Sequence, residues 1–178
     1  MIHIHTLGPN GTNCERAARE YMLRNGQLGE IQLHDTLEIA LIECLKSTHN
    51  SVLLGCVVYP KLHEIVFENL GVLDMVDCFV MDTYDMVLAS SKKSIAQIAT
   101  VCSHPAPQHL VKEALGSSES VQLTLVNSNS QASRLCANGE FDACISTKEA
   151  AVADGLNVLK NFGAVPMGFS VHKKRAYS

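Results

Sequence analysis

The run Leu7-Gly8-Pro9-Asn10-Gly11-Thr12-Asn13-Cys14-Glu15 follows a short apolar stretch and opens a helix. Two glycines and a proline make the turn. Thr12 and Glu15 stand in the S/T-x-x-E spacing, in which the hydroxyl caps one backbone N–H and the carboxylate another. Such a turn leaves N–H groups at the positive end of a helix dipole, which makes it a candidate anion site.

The same grammar continues outward from this run. Upstream, Ile2, Ile4 and Thr6 alternate with His3 and His5, which predicts a strand with both histidines on one partly exposed face. The pair can ligate a metal, but no third ligand stands at a suggestive spacing, so no metal is expected. Downstream, residues 12–25 read as a helix with Ala17, Ala18, Tyr21 and Met22 on one side and Asn25-Gly26 as its stop. Residues 31–33 read as a short strand, and Asp35-Thr36-Leu37-Glu38 as a second capping signature before a helix through Leu41, Ile42 and Leu45. Residues 52–58 are continuous and β-branched, as in a strand buried on both faces. Tyr59-Pro60-Lys61 ends it, and residues 62–70 are ambiguous, with a short helix one option.

Residues 72–80 and 84–90 read as two long strands, 94–99 as a short helix, and Val101-Cys102 as a strand broken by Ser103-His104-Pro105. Pro105 suits the first turn of a helix running to about Leu115. A strand over 121–126 ends in Asn127-Ser128-Asn129-Ser130, and a helix follows from Gln131 to Asn138-Gly139. After a strand at 143–145, Ser146-Thr147-Lys148-Glu149 is a third capping box, whose helix stops at Asp154-Gly155. Residues 156–162 and 166–172 are the last strands, and Lys173-Lys174-Arg175 a solvated tail. The alternation predicts an α/β class with mostly parallel strands, and ligands in such sheets sit outside the carboxyl ends of the strands.

Composition narrows the function. A hydrophobic fraction of 47% in 178 residues is ample for a core, and a formal charge of −4 argues against a nucleic-acid or anionic-membrane surface. Seven cysteines without a C-x-x-C read as reduced core residues of a cytoplasmic protein. No signal-peptide pattern and no run long enough to span a bilayer is legible.

Four segments resemble one family in the right order across nearly the whole chain. Gly8-Pro9-Asn10-Gly11-Thr12 with Ala17-Ala18 resembles the G-P-x-G-T…A-A opening of the prephenate dehydratase domain. Ser103-His104-Pro105 resembles its S-H-P segment. Residues 128–133 resemble its S-T-x-x-A-A segment, with Asn129 in the Thr place and Ser133 in an Ala place. Ala150-Ala151…Gly155-Leu156 resembles its later A-A…G-L segment. The resemblance implies two α/β lobes of the smaller type II periplasmic-binding-protein kind with a cleft between them. Lobe 1 is expected at about 1–81 plus 164–178, lobe 2 at about 82–163, and no regulatory ACT domain. It also implies a homodimer.

One departure redirects the functional reading. Dehydratases carry a Thr-Arg-Phe motif, whose Thr is tied to loss of the ring hydroxyl and whose Arg binds a substrate carboxylate. Here Met167, Gly168 and Phe169 stand there, and Tyr59-Pro60-Lys61-Leu62-His63 stands where the family's E-N-S segment is expected. Prephenate decarboxylases of bacilysin-type antibiotic pathways resemble this chain in T-L-G-P-x-G-T, V-N-S-x-S-Q-A and P-M-x-x-S, here residues 6–12, 126–132 and 166–170. That subgroup implies cofactor-free, non-aromatising decarboxylation of prephenate to a dihydro-4-hydroxyphenylpyruvate. The alternatives are a dehydratase forming phenylpyruvate and a non-enzymatic small-acid binding protein. Candidate binding residues are Gly11, Thr12, Asn13, Lys61, Ser103, Asn127, Ser128, Ser130 and Phe169, and candidate proton donors Tyr59, His63, Tyr84 and His104. Each small polar residue can equally be an ordinary helix cap, Lys61 an exposed lysine, His104 a turn residue and Phe169 a core residue. Cys14, at a helix start, is a weaker candidate for a thiolate.

Overall fold

A computed structural model describes residues 1–116 and 121–175. In chain order the elements are β1 (Ile2–Leu7), α1 (Asn13–Arg24), β2 (Gly29–His34), α2 (Leu37–Lys46), β3 (Ser51–Cys56), α3 (Leu62–Glu68) and β4 (Leu73–Asp82). There follow β5 (Met86–Ser90), a single 3-10 turn at Ile95–Gln97, β6 (Thr100–Ser103), α4 (Leu110–Leu115) and β7 (Gln122–Leu125). The chain closes with α5 (Asn129–Ala137), β8 (Ala143–Thr147), α6 (Lys148–Ala153), β9 (Asn157–Gly163) and β10 (Pro166–Lys174). The chain divides into two units: Met1–Asp82 with Pro166–Ser178, and Thr83–Val165.

The first unit is a five-stranded sheet in the order β2-β1-β3-β10-β4. β1 pairs parallel with β2 and β3, and β10 pairs antiparallel with β3 and β4. Val52 and Leu54 of β3 join the α1-side core with Ile4, Ala17, Ala18, Phe79 and Phe169, while Leu53 joins the α2-side core with Leu37, Leu41 and Ile65. β3 is therefore buried on both faces, as its unbroken apolar run predicts. It is shorter than expected: it ends at Cys56, and Val57 and Val58 are 50% and 43% exposed. Gly55 lets α2 and α3 settle on β3, since a Cβ there would lie 2.9 Å from Leu62 Cδ1 and 3.1 Å from Leu37 Cδ2. β4 is a sheet edge, and side chains occupy part of its free backbone. Arg24 donates to the Val80 carbonyl at 3.4 Å, and the Cys78 N–H donates to Asp77 Oδ1 at 2.8 Å.

The second unit repeats the plan with the order β7-β6-β8-β5-β9. β6 pairs parallel with β7 and β8, and β5 antiparallel with β8 and β9. Leu110 and Val111 of α4 pack against one face of the sheet; Ala132 and Cys136 of α5 and Ala151 of α6 pack against the other.

Both sheets are thus mixed, which corrects the expectation of mostly parallel strands. The antiparallel pairs arise where a strand returns from far along the chain, and no local pattern marks them. Two capping signatures also move by one residue. Thr36 rather than Asp35 caps α2, and Thr147 rather than Ser146 caps α6. Ser146 instead donates its hydroxyl to the Asn129 carbonyl at 2.7 Å. Pro105 does not open a helix: residues 105–109 form turns and α4 begins at Leu110. α5 starts at Asn129, two residues before Gln131, because Ser128 caps it.

Candidate functional site

At the carboxyl end of β1, Thr12 caps α1 by accepting from the Glu15 N–H at 3.3 Å, and its own hydroxyl reaches the Leu7 carbonyl at 3.3 Å. The Gly11 N–H donates to Glu15 Oε2 at 2.7 Å, and Gly11 holds a φ of +83° that favours glycine. Arg19 closes an ion pair on the other oxygen of Glu15, a buried carboxylate. The expected anion loop is therefore already filled from within by Glu15, and the groups offered by Gly11 and Thr12 are committed. Asn13 is half-buried as the first residue of α1. Burial pushes the Cys14 thiol up to about 12, so no thiolate forms there.

At the carboxyl end of β3, two predicted residues, Tyr59 and Lys61, meet Glu38, which sequence reasoning missed. Tyr59 donates its phenol proton to Glu38 Oε2 at 2.6 Å and accepts from the Leu37 N–H at 3.4 Å. Lys61 Nζ stands 3.7 Å from Glu38 Oε1. Burial, together with the Glu38 carboxylate, pushes Tyr59 up to about 12. Tyr59 is thus a poor acid whose proton is already engaged, and the charge of Lys61 already faces the Glu38 carboxylate. His63 is exposed beside Glu64, in the first turn of α3.

Two other expectations in this unit are corrected. Phe169 is fully buried and stacks on Phe79 at 5.8 Å between ring centroids, so it is core and presents no ring to a ligand. The neighbouring Met167 packs on the same core, and a Cβ at Gly168 would lie 3.0 Å from Val57 Cγ1. His5 is not on an exposed face: it is buried with Nδ1 3.1 Å from His34 Nε2, while His3 stacks on His49. Among the described residues no group of three or more His, Cys, Asp or Glu is arranged to hold a metal. All seven cysteines are free; Cys78 is exposed, Cys56 half-buried and the rest buried.

In the second unit several candidates gather at one edge. β6 ends in Ser103, His104 follows it, and β7 ends next to it, with the Val126 N–H donating to the Ser103 carbonyl at 2.9 Å. Asn127 and the amino end of α5 follow at once. This is the carboxyl edge of parallel strands, where open α/β sheets bind ligands. Ser103 spends its hydroxyl on the His104 carbonyl at 2.8 Å, and Ser128 spends its own capping the Gln131 N–H at 3.1 Å. The Asn127 N–H is held by Gln131 Oε1 at 2.9 Å, which leaves the exposed Asn127 amide outward. His104 Nδ1 accepts from the Ala106 N–H at 3.2 Å, so the neutral ring carries its proton on Nε2. Burial lowers the pKa of His104. Ser130 is 6% exposed, and its hydroxyl has no partner among the described residues. Tyr84 lies half-buried in the crossing segment, where Thr83 Oγ1 donates to the Tyr84 carbonyl at 2.8 Å. Among the described residues no helix is long and apolar enough to cross a membrane.

The prephenate dehydratase family matches residues 4–162 of the chain. A prephenate decarboxylase of Bacillus subtilis (strain 168) is 30% identical over 185 residues, covering 98% of this chain and 87% of that protein. The crystal structure of a prephenate dehydratase from Arthrobacter aurescens, in complex with L-Phe, superposes with a TM-score of 0.73 at 15% identity. It covers 99% of this chain, which spans 61% of that one. A periplasmic substrate-binding protein of an ABC transporter from Coxiella burnetii superposes with a TM-score of 0.58 at 15% identity, covering 96% of this chain and 84% of the other. The two sheets with their helices are thus the fold of prephenate dehydratases and of periplasmic binding proteins.

Proposed function

The chain belongs to the prephenate dehydratase family, and on that premise we propose that it removes carbon dioxide from prephenate and leaves the ring hydroxyl in place. The observation that carries this reading is the stretch where a dehydratase has its Thr-Arg-Phe motif. Met167 there is a thioether packed on the Phe79–Phe169 core, and Gly168 lies against Val57. Neither can protonate a departing hydroxide. The relative from Bacillus subtilis named prephenate decarboxylase supports the same outcome.

The chemistry then balances without a cofactor. The bond between the ring carbon and its carboxylate breaks, and the electron pair forms a ring double bond with the adjacent carbon. The displaced alkene takes a proton at its far carbon, next to the carbon that bears the hydroxyl. The diene is the electron sink, and the product is a dihydro-4-hydroxyphenylpyruvate. A proton donor must therefore stand beside the hydroxyl-bearing carbon, yet protonate carbon and not oxygen.

We assign that donor to His104. Its Nδ1 is anchored on Ala106, so in the neutral ring Nε2 carries the proton. Burial lowers its pKa, so the imidazolium form grows only as pH falls below neutrality, when Nδ1 takes a proton and gives up the Ala106 N–H. The rate is expected to rise toward acid pH, and His104→Gln to lose that rise. The protein is further proposed to act in the cytoplasm as a homodimer, in the biosynthesis of a peptide antibiotic.

The assay is direct. Purified protein is added to prephenate and ultraviolet spectra are recorded before and after acid or base. Loss of prephenate without an aromatic product is the expected result. Phenylpyruvate formation means dehydration and refutes the reading. An inert mixture in which prephenate only raises the melting temperature makes the protein a binding module. Light scattering tests the dimer.

A further inference from the structure

Asn129 and Ser130, the first two residues of α5, leave buried polar atoms unmatched. Asn129 Oδ1 and Ser130 Oγ have no hydrogen-bond partner among the described residues. Ser130 is 6% exposed and Asn129 half-buried. Ser133, three and four residues on and hence on the same helix face, is fully buried with its hydroxyl also unpartnered. Native proteins satisfy nearly all such atoms, so the two at the amino end of α5 point to a missing partner. The Asn129 backbone is pinned here, because its carbonyl accepts from Ser146 Oγ at 2.7 Å.

The unmatched set defines the partner. Asn129 Oδ1 is an acceptor and demands a donor, which an ionised carboxylate lacks. Ser130 brings an O–H that donates. In this first helical turn the Gln131 N–H is taken by the Ser128 hydroxyl, and the N–H groups of Asn129 and Ser130, which have no intrahelical acceptor, add further donors. One group that both donates and accepts fits: an alcohol. We infer that Asn129 and Ser130 form a neutral subsite for an alcohol of the ligand, which, resting on the reading above, is the ring hydroxyl of prephenate.

The subsite explains retention of that hydroxyl. Its oxygen accepts from neutral donors, and its proton is given to an amide oxygen. Asn127, Ser128, Asn129, Ser130 and Gln131, the residues of this turn, contain no acid that could turn the hydroxyl into water. His104, at the end of the strand beside β7, then has the neighbouring ring carbon as its target.

The test compares two ring-saturated analogues of prephenate, one with the ring hydroxyl and one without, as competitive ligands of the full chain. Wild type is expected to bind the hydroxylated analogue at least tenfold tighter. Asn129→Leu and Ser130→Ala are each expected to erase most of that preference while binding the deoxy analogue as wild type does. Ser130→Ala removes an unsatisfied buried hydroxyl, so its melting temperature without ligand is expected to match or exceed that of wild type. Absence of preference in wild type, or its survival in both variants, overturns the subsite. If prephenate is consumed but no preference is seen, the decarboxylase reading stands and the subsite falls. If the preference is seen but prephenate is not consumed, the subsite stands and the reaction falls.

Discussion

Acid is expected to unfold the first unit through His5, and the size of the effect follows from its surroundings. The ring is buried on β1 against His34, and burial lowers its pKa from 6.5 to about 4, with His34 and His3 adding to the change and Glu43 opposing it. Above the unfolded value both states hold a neutral His5, and its contribution to stability is fully present. As pH falls through 6.5 the unfolded chain takes up a proton that the folded chain refuses until about pH 4. Stability is therefore lost across that window. At about 1.4 kcal/mol for each pH unit between the two values, the total is roughly 3 kcal/mol, of which about 2 kcal/mol is gone at about pH 5. His34 is lowered too, mainly by burial, and acts in the same direction. The comparison is with His5→Gln, which keeps a polar group opposite His34 and does not titrate. Urea unfolding of both proteins at about pH 7.5 and about pH 5 gives the difference, and wild type is expected to lose about 2 kcal/mol more than the variant. Equal losses in the two proteins would refute the reasoning, because the acid sensitivity would then lie elsewhere.

Two further outcomes are expected. Restoring dehydratase-like residues with Met167→Thr and Gly168→Arg disturbs decarboxylation, measured as prephenate consumption; the added Cβ also meets Val57 Cγ1 at 3.0 Å, so about 1–3 kcal/mol of stability is lost by denaturant titration. Unchanged activity in that variant removes these residues from the choice of reaction. Gly29→Ala places a Cβ 2.2 Å from the Ile2 carbonyl oxygen, where only backbone movement relieves the contact, so a loss of several kcal/mol is expected in the same titration and a near-neutral result refutes the close approach of β1 and β2.

What was legible in the sequence depended on the range of the interaction. The cap of α1 could be read because Thr12 and Glu15 act on neighbouring N–H groups. The burial of β3 could be read because a strand with cores on both faces must be apolar throughout. The meeting of Glu38 with Tyr59 and Lys61 could not, since it depends on α2 and the end of β3 coming together through Gly55. The same holds for His5 with His34, and for the antiparallel return of β10 between β3 and β4. At the candidate site, the residue types were visible but their commitments were not. Gly11, Thr12, Ser103 and Ser128 spend the groups described above on their own turns, and only the fold shows that Ser130 does not. Asn129 departs from the family pattern in plain view, but nothing in its neighbours in the chain announces an unmatched oxygen.

The edge strand β4 carries a consequence for how copies of this protein meet. A ten-residue edge with exposed Met75, Val76 and Val80 is the kind of margin onto which a loose strand can zip. Here the first rungs of such a ladder are taken: Arg24 sits on the Val80 carbonyl and Asp77 on the Cys78 N–H. An arriving strand must strip two charged side chains from the middle of the margin before its own backbone gains a bond. That toll falls at the nucleation step, where sheet growth is slowest, so the guard acts on the rate of misassembly even where it adds little to the stability of the fold.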